Sequence, residues 1–409
     1  MVIRPHILDF WSEVREHLPP GFDLEKTARA RRAFTRARQV KDAAALLQLA
    51  LAYGACGMSL RETCAWAAAA GLANLSDPSL IERLEKAAPW LGDVVGALVG
   101  GQAEAPVKRW AGYRLRALDA TSLCRPGADR TTWRLHVGFD LATGQVDHVE
   151  LTDERGAESL KRLTYQPGEI VLADRYYARP RDLRPVIAAG ADLIVRTGWN
   201  SLRLLNVDGS SFDLFAVLNE QAAQEGEVRV RIHEGTAAPE PLILRLIIRR
   251  KDPQEAAIEQ KRLLQKAKKV GKQPDPRSLE AAKYILLLTS LPAETFPTAD
   301  VLAIYRLRWQ IELAFKRMKS LAGLDELPAK KPNLARAWIY AKLIAVLIAE
   351  RMAGQVPDSP PFGPAQSNRK PFTLAAHEDG ARKHSRRHPR TILVGSHPQR
   401  ARHSSQSAL

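Results

Sequence analysis

Between residues 298 and 320 the sequence TADVLAIYRLRWQIELAFKRMKS fits one helix with two unlike sides, which ties the fold to whatever packs against it. Ile304, Leu307, Ile311, Phe315 and Met318 recur at helical spacing and cover an arc of about 80°, wide enough to face a core. Tyr305 is followed by Arg308, Glu312 and Lys319 at offsets of 3, 7 and 14 residues. At ~100° per residue these four share a sector of roughly 60°, with Lys316 beside them. One carboxylate among cations and a tyrosine suits a group that holds a divalent cation while its neighbours hold phosphates. A solvated face laced with Arg308–Glu312 and Glu312–Lys316 pairs has the same spacing, so spacing alone leaves both readings open.

A chain of 409 residues exceeds one ordinary core, and two or more domains are expected. Lys and Arg number 61 against 45 Asp and Glu, a formal +16 with a pI near 9.9. That balance implies a polyanionic partner, nucleic acid first and an anionic membrane surface second. Cys56, Cys64 and Cys124 form no Cys-x2-Cys pair, which argues against a disulfide framework and a structural zinc site. Arg4, Asp9, Glu13, Arg15 and Glu16 in the first twenty residues do not compose a secretory leader. The longest weakly polar run, Ala43–Leu60, is too rich in alanine for a membrane span. The expectation is a cytoplasmic protein with no membrane partner.

Residues 1 to about 100 are expected to be helical. Lys26, Arg29, Arg31, Arg32, Arg36, Arg38 and Lys41 crowd one segment, Ser59–Glu62 forms a capping box, and Asp77-Pro78 opens a further helix. Two helices around a turn at Gly71 fit either a DNA-gripping helix-turn-helix or a plain bundle with a basic face. From about 110 the period becomes that of strands. Tyr113–Asp119 ends in an acid, Trp133–Phe139 and Val146–Leu151 flank a turn at Gly144, and a short helix is expected over 156–163. Glu169–Asp174 is an apolar strand ending in a second acid, and Ala191–Val195 is another strand. This order fits an RNase H-like α/β core, although a doubly wound fold also alternates strands with helices. Leu202–Asp208, Phe212–Leu218, Glu227–His233, Pro241–Arg250 and Tyr284–Thr289 suggest further strands, with a basic helix or loop over Lys251–Lys272. Asn333–Met352 is an apolar helix. Residues 357–409 hold seven prolines and five histidines with no helical or strand period, as expected of a disordered basic tail.

The residue types add what spacing leaves open. Tyr-x2-Arg-x3-Glu-x6-Lys, set in LLTSLPAETFPTADVLAIYRLRWQIELAFKRMKSL (residues 287–321), resembles the YREK signature of DDE transposases from bacterial insertion sequences, in the insertion-sequence-four group. Asp119-Ala120-Thr121 and Ala173-Asp174-Arg175-Tyr176-Tyr177 are similar to the surroundings of that group's first and second acids. The resemblance implies a helical domain over 1–105 that binds element ends and an RNase H-like core over 106–204 and 291–352. It also implies a β-rich insertion over 205–290, which helps cover the site and handle DNA. Tyr305, Arg308 and Lys319 would contact DNA phosphates and steady a displaced base, with Lys316 and Arg175 as further contacts. Double-stranded DNA, both terminal repeats and target, is the implied partner, bound by a homodimer at the bacterial nucleoid. The region 353–409 departs from the resemblance, which calls for ordered helices there. A frameshift near residues 353–370 in a decayed copy would explain this, and translating the other two frames of the coding DNA tests it.

Transposition asks water, then a DNA 3′-hydroxyl, to attack an anionic phosphodiester, a task suited to two divalent cations about 3.5–4 Å apart. Mg²⁺, for which Mn²⁺ substitutes, takes hard oxygen ligands, and Asp119, Asp174 and Glu312 would supply the carboxylates. The role asks only that these be ionised near neutral pH. Two other outcomes remain open at this point: an RNase H-like nuclease or resolvase, and a catalytically inactive or domesticated DNA-binding protein.

Overall fold

Apolar side chains that alternate along the strands organise the molecule around one mixed sheet. The computed structural model describes residues 11–100, 112–128, 130–220, 225–235, 240–320 and 322–354, all within one compact unit. The expected tail lies outside the described residues. Five helices open the described chain: α1 (Trp11–Glu16), α2 (Leu24–Ala30), α3 (Ala43–Gly54), α4 (Leu60–Ala69) and α5 (Asp77–Gly100). The strands β1 (Arg114–Leu123), β2 (Trp133–Asp140) and β3 (Gln145–Asp153) then form an antiparallel meander. Next come β4 (Glu169–Ala173), α6 (Pro180–Ala188), β5 (Asp192–Thr197), β6 (Leu204–Leu205) and α7 (Leu214–Glu220). They are followed by β7 (Glu225–Ile232), β8 (Leu242–Arg250), α8 (Pro253–Lys269), α9 (Pro276–Ala281) and β9 (Tyr284–Thr289). Helices α10 (Thr298–Arg306), α11 (Trp309–Ser320) and α12 (Pro332–Gly354) complete the described chain.

The sheet order is β3-β2-β1-β4-β5-β9-β8-β7-β6. Strand β4 runs parallel to both β1 and β5, so the first five strands join an antiparallel meander to a parallel pair. This mixed α/β layout fits an RNase H-like core. The strands of 205–290 extend the same sheet through β9, which pairs with both β5 and β8.

Period-two alternation sends side chains to two cores. Leu115, Ala117, Ile170, Leu172, Ile194 and Leu287 join one core with α3, α5, α11 and α12. Leu118, Val171, Ala173, Leu193, Val195 and Leu288 join the other with α6 and α7. Each leucine, isoleucine or valine among them contributes about 1.5–3 kcal/mol on full burial, which makes the register expensive to shift.

A buried ionic network fixes that register where β1 and β4 begin. Arg114 pairs with Asp140, Asp147 and Glu169 at 2.7, 2.9 and 3.1 Å. Arg116 pairs with Asp147 at 2.6 Å and Glu169 at 3.1 Å. Glu169 lies opposite Arg114 in the parallel register, so the two strands are locked at the end remote from Asp119. A slip of one residue would turn Asp119 and Asp174 to the other face.

Local chemistry explains the helical part. Asp42 caps α3, and Ser59 with Glu62 forms the expected capping box of α4, which ends before Gly71 at φ 67°. At Gly54 an added Cβ would sit 2.5 Å from Cβ of Ala341, so glycine permits the close approach of α3 and α12. Within α12, Pro332–Met352 is long and apolar enough to cross a membrane, with mean hydropathy 1.2, but 61% of that window is buried in the fold.

Five elements differ from expectation, the first being Leu202–Asp208, of which only Leu204–Leu205 forms a strand before a turn. Phe212–Leu218 is not a strand: the Asp213 carboxylate accepts hydrogen bonds from the amides of Phe215 and Ala216 and starts α7 instead. The helix expected over 156–163 is one 3₁₀ turn, Leu160–Arg162. Strand β1 continues past Asp119 to Leu123, because its antiparallel pairing with β2 outlasts its parallel pairing with β4. The single helix expected over 298–320 is two. Between α10 and α11 the ladder tightens to 3₁₀-type bonds, from Arg308 N–H to the Tyr305 carbonyl at 3.1 Å and from Gln310 N–H to the Leu307 carbonyl at 3.1 Å. Arg308 turns inward at that point.

Candidate active site

Asp119 and Asp174 meet because of strand register. The last parallel pair of β1 and β4 is Leu118 with Ala173, so each acid stands one residue past it. Alternation turns both toward the face that carries α11. The Asp119 carboxylate accepts the amide of Ala120 at 2.8 Å, and Asp174 accepts the amide of Tyr176 at 2.8 Å.

Arg308 links this pair to the signature helix. It donates to Oε1 of Glu312 at 2.5 Å, and its Nη1 lies 3.5 Å from Oδ2 of Asp119. One guanidinium thus touches both acids, which sets their carboxylates within about 8 Å of each other. Arg308 is mostly buried, whereas the Glu312 side chain is 56% exposed. Tyr305 packs under Arg308, whose guanidinium carbon is 5.8 Å from the ring centroid, and burial pushes its phenol up to about 12. Among the described residues its hydroxyl meets no hydrogen-bond partner at normal geometry. Lys319 reaches the carbonyl of Ser122 on β1 at 3.4 Å. Lys316 and Arg175 are exposed, and Arg175 lies 5.6 Å from the ring centroid of Tyr176.

The Asp119 carboxyl is pushed up to about 7, first by burial and then by the charges of Asp174 and Glu158, against the pull of the Ala120 amide and Arg308. It therefore does not meet the expectation of a carboxylate fully ionised near neutral pH. Two half-buried carboxylates at neighbouring strand ends repel, and a divalent cation between them would favour the ionised form. The oxygen donors suit a hard cation. Among the described residues no three acid, histidine or cysteine side chains stand ready to grip one ion, and Glu312 is held on Arg308.

Glu158 escapes sequence reading. It lies in the irregular segment after β3, and its only local signal is the turn at Gly156, where a Cβ would meet Oγ1 of Thr152 at 2.0 Å. Next to Asp174, a cavity of about 260 Å³ opens between Arg175, Tyr176, Arg196, Trp199 and Lys251. It adjoins the acids rather than containing them.

Paired acids at matched strand ends, tied by an arginine to a third on a neighbouring helix, define the layout of a phosphoryl-transfer enzyme built on a mixed α/β sheet. Residues 110–348 match the family described as Transposase DDE domain. The chain belongs to the DDE transposases of bacterial insertion sequences, enzymes that cleave and transfer DNA strands. It is 42% identical over 357 residues to the InsL chain of insertion sequence element IS186A from Escherichia coli (strain K12), covering 86% of this chain and 96% of that one. Identity to the transposase of IS421 from Escherichia coli is 42% over 358 residues, with the same coverage. The transposase of IS231F from Bacillus thuringiensis subsp. israelensis is 25% identical over 268 residues, covering 58% and 55% of the two chains. Members of this family depend in general on divalent metal.

Proposed function

We propose that the chain excises its element and inserts it elsewhere by cut-and-paste transposition, with Asp119, Asp174 and Glu312 as the carboxylates of its site. The observation that carries this reading is Arg308, which spans from Asp119 on β1 to Glu312 on α11. Asp119 and Asp174 would hold magnesium, and Glu312 would join them once DNA phosphates draw Arg308 away. Bound there, magnesium supplies a Lewis acid for the phosphodiester and a means of activating the attacking oxygen. The chain's own part is to place the phosphate. Arg308 offers a fork of donors for its oxygens, Lys319 a point charge and Tyr305 a stacking face beneath them. Lys316 and Arg175, both exposed, extend the cationic rim, and the cavity beside Asp174 adds Arg196, Lys251 and the ring of Trp199.

The partners we assign are the element's double-stranded ends and a target duplex, engaged by a homodimer. The N-terminal helices over 1–105 would grip the ends. Arg32, Arg36, Arg38 and Lys41 support that role, since all four are exposed along one connecting segment. Residues 205–290 would cover the site as an insertion, with the basic helix α8 facing DNA.

The test is incubation of the full chain with its own element ends on a plasmid, Mg²⁺ and a target duplex. Ends joined to target are the expected product. Cleavage without joining would make the protein a nuclease, and binding with neither would make it an inactive DNA-binding relative.

A further inference from the structure

Arg245 is a buried cation on β8, outside the signature, and its donors converge on the origin of the signature helices. It shares a face of the strand with Ile247, which lies in the same core as Ile304 of α10 and Ile311 of α11. An apolar side chain would fill that position at no electrostatic cost, whereas a buried guanidinium opposes folding unless its donors are answered. They are answered at one place. Nη1 donates to the carbonyls of Leu291 and Phe296, each at 2.9 Å, and Nη2 donates to Oε2 of Glu227 on β7 at 2.5 Å. The same carboxylate oxygen accepts the hydroxyl of Thr298, the first residue of α10, at 2.5 Å.

Leu291 and Phe296 bracket the link from β9 to α10, so one nitrogen holds both ends of it. Phe296 is buried with its ring edge-on to Tyr113, 5.2 Å between centroids, and its amide donates to the Pro292 carbonyl at 2.9 Å. Pro297 precedes α10 and offers no capping side chain. The position of the first turn is set from β7 and β8 rather than by a local cap. With Val301, Leu302 and Ile304 buried, α10 moves as one body of nine residues. At its far end stand Tyr305 and, past the 3₁₀ step, Arg308, whose Nη1 is 3.5 Å from Oδ2 of Asp119. A displacement of about 1 Å, passed along a rigid helix, can cost a reacting site about a hundredfold.

We propose that Arg245 is a positioning residue for strand cleavage: clasped with Glu227, it holds the start of α10 and so sets where Arg308 and Glu312 stand relative to Asp119. The inference rests on the site assigned above to those residues. Arg245 acts through α10 and touches no reacting atom. A merely structural Arg245 would instead only keep β8 packed against the link, and the alignment of the site would not depend on it.

Complexes of the full chain with an element end, assembled without metal and then started with Mg²⁺, separate the two through a rate constant and a final fraction cut. Arg245→Met is expected to lower the rate constant about thirtyfold or more, with the fraction cut and end binding in a gel shift within about twofold of the wild type. A structural loss removes active molecules instead, lowering the fraction cut while the survivors keep the wild-type rate constant. That result overturns the proposal, as does an unchanged rate at full extent. Thr298→Val carries the test if Arg245→Met does not fold, because it removes only the hydroxyl that ties α10 to Glu227. Cleavage of the full fraction about fivefold more slowly is expected there, and a wild-type rate overturns the proposal. Glu312→Gln run in parallel tells this failure from that of the site reading. Cleavage abolished in Glu312→Gln but unchanged in Arg245→Met removes Arg245 alone, whereas wild-type cleavage by Glu312→Gln removes the site reading and this proposal with it.

Discussion

Glu350, near the end of α12, offers a test of the packing that supports the site helix. Its carboxylate faces Arg317 of α11 at 3.9 Å and is 17% exposed, and among the described residues its Oε2 has no hydrogen-bond partner. Burial pushes it up to about 7 from an ordinary value near 4.5, and Arg317 only partly offsets this. The folded protein thus binds this proton more tightly than the unfolded chain. The contribution to stability is fully present below pH 4.5 and is lost as pH rises through about 7. A shift of this size amounts to about 3 kcal/mol in full, most of which disappears between pH 5 and pH 8. Glu350→Gln keeps the shape and removes the titration. Urea denaturation of both chains at pH 5 and pH 8 should show the variant gaining about 2–3 kcal/mol on the wild type at the higher pH. A difference between the two chains that does not change with pH would refute the reasoning.

Other perturbations test other parts. Arg116→Ala leaves Asp147 and Glu169 to Arg114 alone, and should lower unfolding free energy in urea by roughly 3 kcal/mol. Asp119→Asn and Asp174→Asn should each abolish strand cleavage while end binding in a gel-shift assay stays within a fewfold, and substantial surviving cleavage removes that residue from the site. Lys319→Ala should weaken DNA binding and lower the slope of log affinity against log salt by about one, with metal affinity unchanged.

Local sequence determined much of the fold. The strand over Tyr284–Thr289 and the Ser59–Glu62 capping box both follow from nearest-neighbour chemistry, and both stand where they were expected. What escaped depends on contacts distant in sequence. How far β1 runs past Asp119 is decided by its pairing with β2, as at Thr121 with Leu135, and no period within β1 reports it. The helical wheel over 298–320 places Tyr305, Arg308 and Glu312 together, yet it reports neither the 3₁₀ tightening at Arg308 nor the pairing of Arg308 with Asp119, far away in the chain. Phe212–Leu218 carries β-prone residues, and a single capping aspartate outweighs them. Glu158 lies in a segment without period, where only a glycine hints at a tight turn. Its neighbourhood exists only once β1, β2 and β4 have assembled.

Glu312 is proposed to work with Asp119 and Asp174 on one phosphate. First-strand cleavage at an element end by the Glu312→Gln chain, with end binding followed in parallel, tests it most directly. A loss of about a thousandfold or more in cleavage rate is expected, with end binding nearly unchanged. Cleavage near the wild-type rate would contradict it.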